Sequence, residues 1–172
     1  MMKKITSKIH LRDLTENDIT EDYLMWFRDQ EVTQYLDAQN LTKQEVLENI
    51  TKGKKLGLHI MLAIVENESG KHVGNVKIGP INTVTKVSDL VTVIGDLSSR
   101  GKGYGREAIL AGCDYAFDHV GIRKLAGRIN VKNIASVKAY MAAGWFIEGI
   151  LREHDFRNGV PEDVYSVAKF PG

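Results

Sequence analysis

The stretch Ile94-Gly95-Asp96-Leu97-Ser98-Ser99-Arg100-Gly101-Lys102-Gly103-Tyr104-Gly105-Arg106-Glu107-Ala108 decides how the chain is read. The β-branched run Leu90-Val91-Thr92-Val93-Ile94 precedes it, and a helix pattern reaching about His119 follows. Between them three glycines alternate with other residues, among three cations. A strand feeding a Gly-rich turn that opens a helix is a phosphate cradle, because glycine admits an anion close to the backbone and the first helical amides have no internal partner. Arg100, Lys102 and Arg106 add positive charge where the phosphate would sit. The same residues also suit an ordinary turn that uses glycine for positive φ, so the loop alone leaves both readings open.

The rest of the chain narrows the choice. Its 172 residues, with three prolines and no linker-like tract, imply a single domain over residues 1–172. A net charge of +1 and no basic patch with interleaved aromatics imply no nucleic-acid partner. No apolar run is long enough for a signal peptide or a membrane span, so the expectation is a cytoplasmic protein without a membrane partner. The single cysteine, Cys113, excludes an intrachain disulfide, and its place in the helix after the loop reads as a small core residue. No His-x-x-x-His, Cys-x-x-Cys or acidic calcium loop is present, so no metal is expected. Gly101-x-Gly103-x-Gly105 lacks the spacing of a dinucleotide fingerprint, and no Gly-Lys-Ser/Thr of a nucleotide-hydrolysing P-loop occurs.

Taken in order, the chain alternates strands and helices. Lys8–Arg12 reads as a strand, and Thr15 or Asn17 as a cap. Tyr23, Leu24, Trp26 and Phe27 form an aromatic helix face that suits either core packing or a substrate wall. A short helical piece spans Glu31–Leu36, and Thr42 with Glu45 is a capping box opening a helix that ends near Lys52-Gly53. Strands follow at Leu58–Val65, His72–Ile78 and Val87–Gly95, joined by short turns into an antiparallel meander. After the loop and its helix, Leu125–Ile129 completes a βαβ unit and is therefore expected to run parallel to the strand before the loop. Asn133 caps a helix over Ile134–Ala143 that stops at Gly144. Trp145–Leu151 and Val164–Phe170 are the last strands, with a hairpin signal at Asn158-Gly159. The pattern predicts an α+β fold, a mixed, mostly antiparallel sheet of about seven strands with one central parallel step and flanking helices.

A parallel step inside an antiparallel sheet leaves a cleft at one end. Asn133, Ser136 and Tyr140, spaced i, i+3, i+7, share one helix face that could present polar groups to it. Ile134, Val137 and Met141 form a neighbouring apolar face suited to the core. A cap, a solvated serine and a half-buried tyrosine would look the same.

These residues resemble the GCN5-related N-acetyltransferase (GNAT) family. Arg100-x-x-Gly103-x-Gly105 is similar to the family's [Gln/Arg]-x-x-Gly-x-[Gly/Ala] signature, and Asn133-x-x-Ser136-x-x-x-Tyr140-x-x-x-Gly144-Trp145-Phe146 to its second. Glu148-Gly149-Ile150-Leu151-Arg152, then an aromatic, a Gly turn and an Asp, resembles the RimJ/RimL-type branch. The resemblance implies acetyl-CoA as co-substrate and direct transfer to a primary amine. The backbone from Arg100 through Gly101, Lys102, Gly103, Tyr104 and Gly105 to Arg106 would hold the pyrophosphate, and Val93, Ile94 and Gly95 the pantetheine arm. Asn133 and Ser136 complete the expected cofactor side, and Tyr140 would protonate the leaving thiolate. Asp89, on the strand before the loop, is the first choice of base, since the amine must lose a proton. Asp96 is nearer the loop but suits a turn cap; Glu148, Glu153, His154 and Asp155 could contact substrate or be solvated.

The resemblance implies a small-molecule amine or a peptide N-terminus as acceptor, with polyamines and antibiotics left open. Tyr23–Leu36 and His72–Asn82 resemble segments of GNAT enzymes that acetylate nucleotide-linked amino sugars, which favours such an acceptor over a ribosomal or other protein N-terminus. Arg28, Arg152 and Arg157 are candidate cations for the nucleotide. A non-catalytic acetyl-CoA-binding module is the alternative outside the enzyme class. Edge strands near the C-terminus could pair in a homodimer, although nothing in the sequence requires it.

Overall fold

The computed structural model describes residues 4–172. Its strands are β1 (Lys4–Ile5), β2 (Ile9–Asp13), β3 (Ile60–Glu66), β4 (His72–Asn82), β5 (Val87–Ile94), β6 (Lys124–Asn130), β7 (Phe146–Arg157) and β8 (Val160–Lys169). Its helices are α1 (Glu21–Trp26), α2 (Gln30–Thr33), α3 (Lys43–Leu56), α4 (Tyr104–Tyr115) and α5 (Ile134–Ala142). The sheet order is β1-β2-β3-β4-β5-β6-β8-β7, and every pair is antiparallel except β5 with β6. This is the expected α+β sheet, with the two-residue β1 added at one edge. The opening residues, including most of Met1–Lys4, lie outside the described ones.

Strand alternation sorts the core into two layers. Leu62, Ile64, Val76, Ile78 and Leu90 face α4 and α5, whereas Ala63 and Val65 face Leu14, Tyr23, Leu24, Phe27 and Val46 around α1 and α3. Period-2 strands buried on both faces read as continuous apolar runs, which is why Ile60–Val65 is apolar throughout. The aromatic face of α1 is therefore mostly core: Tyr23 and Phe27 are buried, and only Trp26 is partly open.

Several details differ from expectation: β4 runs on to Asn82, β7 to Arg157, and β8 begins at Val160. Helix α3 has the predicted Thr42/Glu45 capping box but runs past Gly53 to Leu56, ending at Gly57 with φ +63°. Gly53 is a close-approach glycine: a Cβ there would meet the His59 ring at 2.2 Å. A glycine that stops a helix and one that admits a neighbour look alike in sequence. On α5, Val137 and Met141 pack against the core, but Ile134 is 55% exposed, so the expected apolar face is only partly a core face.

The parallel step is short. Only Val87, Ser88 and Asp89 pair with Lys124, Leu125 and Ala126. Beyond them β5 stays with β4 as far as Ile94 opposite Gly74, while β6 stays with β8 as far as Asn130 opposite Val164. The two strands thus part at Leu90, leaving one edge of β5 unpaired.

Candidate active site

Helix α5 aims its tyrosine into this gap. Asn133 caps the helix, its Oδ1 accepting the Ser136 amide at 3.1 Å. Two turns on, the buried Tyr140 hydroxyl donates to the Leu90 carbonyl at 2.9 Å, and its ring lies edge-on to Trp145 at 4.9 Å. Burial raises the Tyr140 phenol well above its ordinary pKa, opposed by the Thr92 hydroxyl and amide. The phenol is therefore a neutral proton donor at any physiological pH.

The direction of the Leu90 carbonyl fixes the rest of the edge. Peptide groups along a strand alternate, so those of Thr92 and Ile94 also face the gap. Val93 and Gly95 turn the other way: Val93 lies opposite Asn75, and the Gly95 amide donates to Val73 O at 3.0 Å. Of the three residues expected to hold a pantetheine arm, only Ile94 offers its peptide group. Gly95 is glycine because a Cβ would sit 2.1 Å from the Trp26 ring. Thr92, not among the expected site residues, turns its peptide group to the gap, and its buried Oγ1 makes no hydrogen bond of standard geometry among the described residues.

The loop after β5 ends on an uncapped helix. Gly101 and Gly103 have φ +75° and +85°, conformations other residues adopt rarely. Gly103 is the N-cap of α4 and supplies no side-chain cap, so the first-turn amides of Tyr104, Gly105 and Arg106 remain available to an anion. Gly105 has nothing inside the protein that demands glycine; the nearest atom to a Cβ there is Ile94 Cγ1 at 3.8 Å. The loop cations hold surface partners: Arg100 with Glu31 at 3.3 Å, Lys102 with Glu66 at 3.8 Å, and Arg106 Nε on Ala142 O at 3.0 Å. Such exposed contacts are worth about 0–1 kcal/mol and exchange readily for a phosphate. Tyr104 is held by its hydroxyl on Glu66.

Asp89 stands on the opposite face of β5 from Leu90. It is half-buried; burial raises its carboxyl above the ordinary value, and Arg128 and Lys77 oppose that rise. Asp96 is occupied as a turn residue, accepting from Ser98 and Ser99 at 2.8 and 2.5 Å and pairing with Lys71 at 2.9 Å. These contacts outweigh its burial and hold its carboxyl at about 2. Glu148 pairs with Lys124, and Asp155 with Arg157, both at 2.7 Å. His154 lies beside the site, its Nε2 accepting from Arg128 at 3.0 Å.

The candidate nucleotide cations fare unevenly. Arg152 is paired with Asp163 at 2.5 Å. Arg157 straps the segment after α2, reaching the carbonyls of Gln34, Tyr35 and Leu36 at 3.3–3.4 Å. Arg28 alone remains open, on a cleft of about 780 Å³ with Trp26, His72 and Gly95. His72 Nε2 contacts two acceptors there, Gly74 O and Asn75 Oδ1, at 2.8 and 3.0 Å, so it carries the proton. Missed by the sequence reading were Thr92, Lys77 and Arg128; strand alternation around the apolar Leu90, Ile78 and Ile129 could have assigned them a face.

A gap at one parallel pair, beside a glycine-rich helix start with free amides, suits a long ligand that carries an anion. The chain belongs to the GNAT acetyltransferase family, whose domain model matches residues 8–145. It is 30% identical over 101 residues to spermidine N(1)-acetyltransferase of Vibrio cholerae, a match spanning 59% of this chain and 58% of that protein. Among solved structures, spermidine N-acetyltransferase from Vibrio cholerae in complex with CoA and spermine superposes with a TM-score of 0.86 at 22% identity, covering 96% of each chain. Ribosomal-protein-S5-alanine acetyltransferase from Vibrio fischeri superposes with a TM-score of 0.85 at 17% identity, covering 99% of this chain and 97% of that one. At such identities these two superpositions establish the fold. Among the described residues no helix is long and apolar enough to cross a membrane.

Proposed function

We propose that this acetyltransferase moves the acetyl group of acetyl-CoA directly to a primary amine, with Tyr140 as general acid and Asp89 as general base. The observation that carries this reading is their placement about β5, where Asp89 of the strand itself and Tyr140 of α5 lie at adjacent residues on opposite faces. Tyr140 reaches the Leu90 carbonyl from the α5 side, and the next residue back, Asp89, projects from the other face. The amine nitrogen attacks the thioester carbon and the C–S bond breaks. Asp89 takes the proton lost by nitrogen, and the Tyr140 hydroxyl turns from Leu90 O to give its proton to sulfur. A gap-facing amide of Thr92 or Ile94 is oriented to stabilise the oxyanion. Cys113 takes no part: it is 1% exposed, and burial pushes its thiol up to about 11.

The free amides of residues 104–106 suit the pyrophosphate, the Thr92 and Ile94 edge suits the pantetheine amides, and among the described residues Asn133 Nδ2 makes no hydrogen bond, leaving it for the same arm. Glu148–Arg152 supports the RimJ/RimL-type branch. The favoured acceptor is a nucleotide-linked amino sugar, ahead of a protein N-terminus.

The test is acetyl transfer to an amine panel. Tyr140→Phe is expected to lower kcat about 100-fold while leaving acetyl-CoA affinity unchanged. A collapse of that affinity would make Tyr140 a binding residue, and tight acetyl-CoA binding without transfer to any amine would favour a non-catalytic module.

A further inference from the structure

The acceptor side of β5 carries an unbalanced charge cluster. Lys77 on β4 lies opposite Val91, and Arg128 on β6 lies two residues past Ala126, the partner of Asp89. Val76, Ile78, Leu90 and Ile129 are buried in the α4–α5 core, so by alternation Lys77, Asp89 and Arg128 all project from the other face. Two cations thus flank one carboxylate from the neighbouring strands.

Several other charges of the sheet are matched at contact distance. Arg12 pairs with Asp18 at 2.6 Å, Lys124 with Glu148 at 2.7 Å, and Arg152 with Asp163 at 2.5 Å. Among the described residues, neither Lys77 nor Arg128 has a carboxylate within 4.0 Å, although both act electrostatically on Asp89. The hydrogen bond Arg128 makes is to His154 Nε2 at 3.0 Å, which requires that nitrogen to be an unprotonated acceptor and brings no negative charge. The cluster therefore carries a formal charge of about +1 beside the reacting centre. Two cations sharing one carboxylate leave one positive charge unmatched, and a polycation brought to this face would meet two like charges.

We infer that the acceptor is a small amine bearing a carboxylate or phosphate a few bonds from its nitrogen, with Lys77 and Arg128 holding the anion. Lys77 lies opposite Val91 and so diagonal to Asp89, and diagonal neighbours about 7–8 Å apart are within reach of a small amine that carries its anion a few bonds away. This rests on the acid–base reading above, and it distinguishes this chain from enzymes that take polyamines.

Matched pairs test it. Glucosamine 6-phosphate is compared with glucosamine, L-alanine with L-alaninamide, and all four with spermidine, by kcat/KM and by calorimetric binding to the CoA-loaded enzyme. The anionic member of at least one pair should exceed both its neutral partner and spermidine by tenfold or more; which pair responds identifies phosphate or carboxylate. Lys77→Gln and Arg128→Gln should each erase most of that preference through KM at unchanged acetyl-CoA affinity, and Arg128→Lys should retain it. Spermidine as the best acceptor, no charge preference in either pair, or a preference that survives both substitutions overturns the inference. Undiminished turnover in Tyr140→Phe and Asp89→Asn overturns the acid–base reading instead, while leaving the charge preference in place.

Discussion

The base role proposed for Asp89 rests on where the strand holds it. Burial raises its carboxyl, while Arg128 and Lys77 limit the rise. The acid limb of the kcat profile is therefore expected above the ordinary aspartate value of about 4. Asp89→Asn should lower kcat/KM about 100-fold at pH 7 and recover progressively towards pH 9–10, where the amine loses its proton unaided. A pH–rate profile of both forms checks this; a variant whose deficit is independent of pH would mean that Asp89 orients substrate. At the same scale Tyr140 shows what a motif leaves unsaid. Its position in the second signature names an acid, but the Leu90 carbonyl that holds its proton is 50 residues away in sequence.

At the scale of the element, the loop and α4 separate two kinds of glycine. Gly101 and Gly103 serve the backbone, through positive φ. Gly105 answers no such demand, since a side chain there would meet nothing closer than Ile94 Cγ1 at 3.8 Å. Gly105→Val is expected to keep folding stability within about 1 kcal/mol, because glycine is itself a poor helix former. The same change should weaken acetyl-CoA binding at least tenfold by covering the first-turn amides. Urea unfolding and calorimetry read the two effects separately; equal losses in both would make Gly105 structural.

Across the whole molecule, the face opposite α4 and α5 is anchored by Arg12 and Asp18. The Arg12 guanidinium holds both Asp18 oxygens at 2.6 and 2.7 Å, and Thr15 adds its amide and hydroxyl at 2.8 Å. Burial alone would raise the Asp18 carboxyl, but these bonds prevail and bring it to about 2. A carboxyl lowered in the folded state stabilises above its unfolded value, so this contribution is complete above about pH 4 and is lost as pH falls towards 2. Asp18→Asn should cost about 2 kcal/mol at pH 7 and flatten the stability profile between pH 4 and 2.5, measurable by urea unfolding. Retention of the wild-type acid slope would place the anchoring elsewhere.

The order of elements, the single parallel step, the glycine loop and the Asn133/Ser136/Tyr140 face were legible in the sequence, because period, turn chemistry and capping are local and each leaves a short-range pattern. The contents of the gap were not. Whether a peptide group of β5 faces β4 or the gap depends on register, so Val93 and Gly95 could not be told from Thr92 and Ile94 by composition. Nor could pairing be read: Arg152 and Arg157 are held by Asp163, Asp155 and distant carbonyls, whereas Lys77 and Arg128 stand beside Asp89 without ion-pair partners among the described residues. Local residue order determined that a phosphate-bearing acyl donor has a place in this protein. Only the tertiary structure, by bringing β4, β5 and β6 side by side, decided which charges surround Asp89, because those contacts join residues that the chain itself keeps far apart.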